Sequence, residues 1–223
     1  MAQHLQREIE QLKKKVLTLG ATVESDIHKA VHSVLNRDPG LAEEVINLDI
    51  AIDQLEVDLE EDCLKILALH QPVAIDLRFI VAVLKINNDL ERMGDLAVNI
   101  SERAKFLATR SQVNVPFDLH TLSKKAMGMV KRSLDSLVNL DASLAREVCR
   151  MDDEVDELNR QAFETVMAAI RTKPDQVDIL IAYLSASRYL ERIADHATNV
   201  AEDVIYMIEG VIARHKEDSS RTT

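Results

Sequence analysis

Acidic residues recur four apart at matched places in both halves of this sequence. Asp49 and Asp53 are followed by Glu56 and Glu60, and further on come Glu91, Asp95 and Asn99. The second half carries Asp152, Asp156 and Asn159, then Glu191, Asp195 and Asn199. Residues at i and i+4 of a helix lie one turn apart on one face. Each half is therefore expected to carry two ladders of oxygen donors. Like charges at this spacing destabilise a helix by roughly 0.2–0.5 kcal/mol per pair, and a bound cation would turn that repulsion into ligation. Carboxylate and amide oxygens are hard ligands, suited to iron, manganese, magnesium or calcium. No cysteine stands in the ladders, so zinc is less well served. Asp49, Asp53, Glu56 and Glu60 each directly follow an apolar residue, namely Leu48, Ile52, Leu55 and Leu59. That phase predicts ladders flanking the helix seam or lying further round from it. The competing reading is a set of solvated outer faces, balanced by Arg92, Arg192 and nearby lysines.

Other chemistries find less support. A di-iron carboxylate bundle needs Glu-x-x-His pairs projecting inward, and none of the seven histidines has Glu three positions before it. His28 and His32 share a face with Glu24 and read as exposed polar positions. His196, beside Asp195, reads as a polar surface residue, with extension of a second metal site as the alternative. Cys63 and Cys149 fall in apolar helical runs without CxxC spacing and are expected to be buried, reduced thiols. No Gly-rich phosphate loop, Gly-x-Ser-x-Gly elbow or ordered catalytic triad is present, so catalysis is not expected.

The elements that position the ladders follow from composition and period. The chain has 223 residues, 47% hydrophobic and 29% charged, with five Gly, four Pro and seven aromatics. Such a mixture favours helices over strands. Pro39, Pro72, Pro116 and Pro174 separate long periodic segments, and proline is tolerated in a helix's first turn. Six helices are expected over about 3–36, 40–69, 72–110, 117–139, 141–171 and 175–214, with Asp38-Pro39 and Gln71-Pro72 each read as N-cap and first helical residue. The tail from Lys216 to Thr223 is expected to fray. The third segment has a seam at Phe79, Val83, Ile86, Leu90, Met93, Ala97, Ile100, Ala104 and Leu107, spaced four, three, four, three. That spacing belongs to antiparallel bundles. The sixth segment repeats it at Ile179, Tyr183, Ala186, Leu190, Ile193, Ala197, Val200, Val204 and Met207.

The two seams differ by 100 in number and expose an internal repeat. Between Leu90–Glu102 and Leu190–Glu202, seven of thirteen positions are identical. The preceding helices match at an offset of 103, pairing Leu41–Asp49 with Leu144–Asp152 and Asp53 with Asp156, so three extra residues lie between the second and third helices of the first copy. The expected fold is all-α: two tandem three-helix bundles related by duplication, residues 1–112 and 113–223. The net charge of −11 disfavours nucleic acid and anionic lipid as direct partners. Met1–Lys15 lacks the apolar core of a signal peptide, and no stretch is long and apolar enough to span a membrane. A cytoplasmic protein is expected.

The run Gln71-Pro72-Val73-Ala74-Ile75-Asp76-Leu77-Arg78, followed by Leu90-Glu91-Arg92-Met93-Gly94-Asp95 and later by Leu190-Glu191-Arg192-Ile193-Ala194-Asp195-His196-Ala197-Thr198-Asn199, resembles the bacterial PhoU family of phosphate-specific transport accessory proteins. The resemblance covers essentially the whole chain. It implies two similar three-helix bundles and a negative regulator of the phosphate-starvation response. Such a regulator would couple the ATPase subunit of the phosphate ABC transporter to a sensor histidine kinase. It would act as a homodimer, meeting the membrane only through these partners. The resemblance also implies multinuclear metal clusters on paired acidic motifs. The first pair would be Asp49 and Asp53 with Glu91 and Asp95; the second, Asp152 and Asp156 with Glu191 and Asp195; Asn99 and Asn199 would extend the third-helix motifs. The alternative function is a metal-cluster-carrying helical protein with an enzymatic or storage role.

Overall fold

The structure is a computed structural model and describes residues 2–210, with side chains from residue 4 onward. Among the described residues six helices follow in order: α1 (Ala2–Asn36), α2 (Pro39–His70), α3 (Ala74–Ala108), α4 (Leu119–Asn139), α5 (Ala142–Thr172) and α6 (Val177–Glu209). A single 3-10 turn, Pro174–Gln176, leads into α6. Among the described residues no helix is long and apolar enough to cross a membrane.

The first two helices of each half meet in the same turn. The Asp38 N–H donates to the Ser33 carbonyl and the Asp141 N–H to the Ser136 carbonyl, both at 2.9 Å. Asp38 and Asp141 then cap the following helix, each carboxylate accepting two backbone N–H bonds. A side-chain cap is worth about 1 kcal/mol. The residue before each cap turns the chain in the left-handed region: Arg37 at φ 55° and Leu140 at φ 51°. Neither is glycine, so each turn holds local strain of roughly 1–3 kcal/mol. The Arg37 guanidinium reaches across to the Leu107 and Arg110 carbonyls at the end of α3.

The second connection of the first half departs from expectation. Gln71 does not cap α3. It takes a left-handed conformation (φ 45°) as the C-cap of α2, its N–H bonded to the Leu67 carbonyl. Pro72 has no N–H with which to extend α2. The three extra residues of this copy make a turn, and α3 starts only at Ala74 behind Val73, which has no side-chain cap bond. At the other end, α6 stops at Glu209 with Gly210 as its left-handed C-cap. The expected continuation to 214 and the expected frayed tail lie outside the described residues.

α1–α3 and α4–α6 each form a bundle, and the bundles join through α3 against α6 with α1 against α4. All nine residues of each sequence seam are buried. α3 and α6 bury sixteen residues apiece, against six on α2 and five on α5, so α3 and α6 are central rods and α2 and α5 outer ones. The connection at 109–118 leads from α3 to α4. Two buried carboxylates tie the halves together. Asp89 of α3 accepts from His196 Nδ1 (2.8 Å) and Asn199 Nδ2 (3.1 Å) of α6. Asp203 of α6 accepts from Lys85 Nζ of α3 at 3.1 Å, and that ammonium also stands 5.1 Å from the Tyr206 ring. His196 is thus part of the joint between bundles, not a surface residue. Cys63 is buried as expected; Cys149 is only half-buried.

Candidate metal centre

Asp49 and Glu56 of α2 and Asp152 of α5 sit in the seam, not beside it, while Asp53, Glu60 and Asp156 stay exposed beside it as expected. The buried face of α2 runs through Ala42, Val45, Ile52, Leu59, Cys63 and Ile66. Extended by threes and fours, that stripe includes positions 49 and 56, where Asp49 and Glu56 are half-buried. Leu48 is 38% exposed and Leu55 only half-covered. α5 repeats the pattern through Ala145, Val148, Val155, Ala162 and Val166, with half-buried Asp152 and Asn159 at the interrupted positions. The expected flanking phase followed the large leucines. The true seam keeps Ile52 and Leu59 but mixes them with smaller residues and accepts polar ones.

Each polar interruption faces the central helix of its own half. Asn87 Nδ2 of α3 donates to the Glu56 carbonyl (3.0 Å) and to Glu56 Oε1 (3.2 Å). At the related place in the second half, Ser187 Oγ donates to Asn159 Oδ1 at 3.1 Å. Two turns along, Asp152 meets the middle of α6. Asp152, Asp156 and Asp195 each offer a carboxylate oxygen, and these oxygens all lie within 4.8 Å of one another. The Thr198 hydroxyl donates to Asp152 Oδ1 at 3.3 Å.

The electrostatics register this crowding. Burial, followed by the charges of Asp156 and Asp195, pushes Asp152 up to about 6; the Thr198 bond works the other way. Burial, then Glu191 and Asp156, pushes Asp195 up to about 6, opposed by His196 and Arg192. Glu191 is raised by burial and then by Asp156, and Asp156 by burial and then by Asp153. The first half shows the same sign. Asp49 is raised by burial and then by Asp53, Asp95 and Asp26. Glu91 is raised by burial and then by Asp95, with Glu56 and Asp53 adding to it and Arg92 opposing.

Four carboxylates of each half therefore influence one another across two helices. The asparagines at the ends of the ladders point their amide nitrogens elsewhere: Asn99 Nδ2 to its own helix at the Asp95 carbonyl (2.9 Å), Asn199 Nδ2 to Asp89 across the bundles. Asp26 of α1 escaped the sequence reading. It is 2% exposed, its Oδ2 has no hydrogen-bond partner, and its nearest cation is Lys29 at 3.8 Å. Its signal was a carboxylate in phase with the α1 seam of Val16, Leu19, Val23 and Ala30. The related position of the second half is Met129, so the halves differ here.

The donor set fits a hard divalent or trivalent cation. It is all oxygen, convergent, and among the described residues no Lys or Arg forms an ion pair with Asp152, Asp156 or Asp195. Carboxylates held this close together without an ion-pair partner are what a cation neutralises.

Comparison with known proteins bears on both halves at once. The model of the PhoU domain matches residues 16–104 and again 119–204. The phosphate-specific transport system accessory protein PhoU homolog of Aquifex aeolicus is 41% identical over 210 residues, covering 94% of this chain and 95% of that protein. The homolog of the same description from Pseudomonas aeruginosa is 34% identical over 216 residues, covering 96% and 89%. The crystal structure of PhoU from Pseudomonas aeruginosa superposes with a TM-score of 0.89 at 34% identity, over 92% of this chain and 99% of that one. The phosphate transport system regulatory protein PhoU from Streptococcus pneumoniae gives 0.83 at 28% identity, over 94% and 99%.

Proposed function

This chain belongs to the PhoU family, and from that premise we propose that it is an accessory protein of phosphate-specific transport that holds the phosphate-starvation response off. In this reading it links the ATPase subunit of the phosphate ABC importer to a sensor histidine kinase. It works in the cytoplasm as a homodimer and reaches the membrane through those partners. The observation that carries the reading is the match of both repeats, over nearly the full length, to proteins whose descriptions name phosphate transport and its regulation.

The acidic groups add a cation to the proposal. Asp152, Asp156, Glu191 and Asp195 would hold it in the second half, and Asp49, Asp53, Glu91 and Asp95 in the first. A bound hard cation would supply charge neutralisation and a fixed cross-link between an outer and a central helix. The chain's own part is to keep the oxygens converged: Thr198 holds Asp152, and the seams hold α5 against α6. The relatives are described as accessory and regulatory, and the reading assigns no catalysis.

Deletion of the gene tests the regulatory part. Phosphate-starvation reporters are expected to stay on in high phosphate without the protein and to be silenced when it is restored. Reporters that still respond normally to phosphate in the deletion would refute it.

A further inference from the structure

α2 has a second apolar stripe besides its buried seam. Ile50, Val57 and Leu64 lie seven residues apart and are 76%, 44% and 53% exposed. Seven residues is close to two turns, so these side chains stand above one another along about 21 Å of helix. The repeat provides an internal control. At the related positions α5 carries Asp153, Arg160 and Met167, and α5 packs its buried seam in the same register. The apolar ridge is thus not a demand of the fold.

Scattered apolar surface residues are ordinary. A heptad-spaced ridge with charged residues between its members is the pattern of one side of a helix–helix interface. Here the interleaved residues are Asp53, Gln54, Glu60 and Glu61, all exposed. Among the described residues, no Lys or Arg forms an ion pair with these three carboxylates. α2 as a whole holds nine Asp and Glu against the single Lys65.

Charge selects the occupant. A second copy of α2 would set two strongly acidic rods side by side, and an anionic lipid surface would be repelled for the same reason. We infer that this face of α2 docks a basic amphipathic helix of a partner protein. The partner's apolar side chains seat between Ile50, Val57 and Leu64, and its Lys and Arg meet Glu60 and Glu61. The inference rests on the surface chemistry of α2 alone, and its test does not involve phosphate signalling.

The probe is a fluorescein-labelled synthetic helix of about 20 residues, long enough to span the ridge, with Leu at heptad a and d positions and Lys elsewhere. Its twin carries Glu in place of Lys. Two variants of the full chain are compared with the parent. Ile50→Asp/Val57→Arg/Leu64→Met grafts the α5 residues onto α2, and Glu60→Lys/Glu61→Lys reverses charge at two exposed positions. Circular dichroism and thermal melts establish that both fold; should the graft fail, the charge reversal still reads the face. The expected result is saturable binding of the Lys peptide, weakened by salt, absent for the Glu twin and at least about tenfold weaker in each folded variant. No binding of the Lys peptide, equal binding of both peptides, or variants that bind like the parent would overturn the inference. So would a parent dimer in sedimentation that dissociates in the α5 graft, because a second copy would then cover the ridge.

Discussion

Replacing Asp152 by Asn should make the metal-free protein more stable at neutral pH while removing the stabilisation that a cation in the second half would give. The native carboxyl is pushed up to about 6 from 3.8 by burial and by Asp156 and Asp195. A folded pKa above the unfolded one means that the ionised group opposes folding. Its penalty is absent below the unfolded value, grows as pH rises from about 4 to about 6, and is complete above. Two pKa units at about 1.36 kcal/mol each give an upper bound near 3 kcal/mol. Asp156 and Asp195 are exposed, so solvent screening reduces the expected gain to about 1–2 kcal/mol. For a chain of this size that is a rise of about 2–8 °C in Tm. Asn keeps the shape and still accepts the Thr198 hydroxyl bond. The assay is thermal or urea unfolding of chelator-treated protein at pH 7, 5 and 4, repeated with excess manganese at pH 7. The variant should be the more stable without metal at pH 7, and its advantage should shrink toward pH 4. With metal the order should reverse, since a ligand at a hundredfold excess over its Kd adds about 2.7 kcal/mol to the parent. A variant less stable than the parent without metal, or an advantage that does not change with pH, would refute the reasoning.

Further expectations concern protons, packing and thiols. Because Asp152 and Asp195 both sit at about 6, cation affinity should climb with pH through that region, level off above it and collapse below about 4, as read by calorimetry across pH. Leu90 is fully buried in the α3 seam, and Leu90→Ala should cost about 2–5 kcal/mol in urea unfolding; a loss under about 1 kcal/mol would mean that the seam is not packed as described. Burial, then Asp62 and Glu60, pushes the Cys63 thiol up to about 12. Cys63 should therefore resist iodoacetamide at pH 8 until the protein is unfolded, with mass spectrometry locating the label.

Particular residues show what the sequence could reveal. The three- and four-residue spacing from Phe79 to Leu107 and from Ile179 to Met207 identified the central helices, because helices surrounded by neighbours present a broad apolar stripe. The repeat placed six helices and the matched acidic runs. The outer helices were harder. Their seams pass through Ala42, Val45 and Cys63 and accept Asp49 and Glu56, so a reading weighted toward leucine chose the wrong phase at Leu48 and Leu55. Asp26 was missed for the same reason, as a carboxylate at an apolar position. Nothing local marks Arg37 and Leu140 as left-handed, since the fold holds side chains where glycine would be the easier choice. The Asp89–His196–Asn199 joint depends on how one bundle lies on the other, which helix period does not encode.

Manganese titration of the chelator-stripped full chain, followed by the electron paramagnetic resonance signal of free Mn(II), tests the central claim most directly. Saturable loss of the free-ion signal at pH 7 is expected, with the stoichiometry falling to the share of the first-half carboxylates in Asp152→Asn/Asp195→Asn and the folded helical content of both proteins unchanged. A parent that leaves the free-ion signal untouched, or a double variant that binds as the parent does, would contradict it.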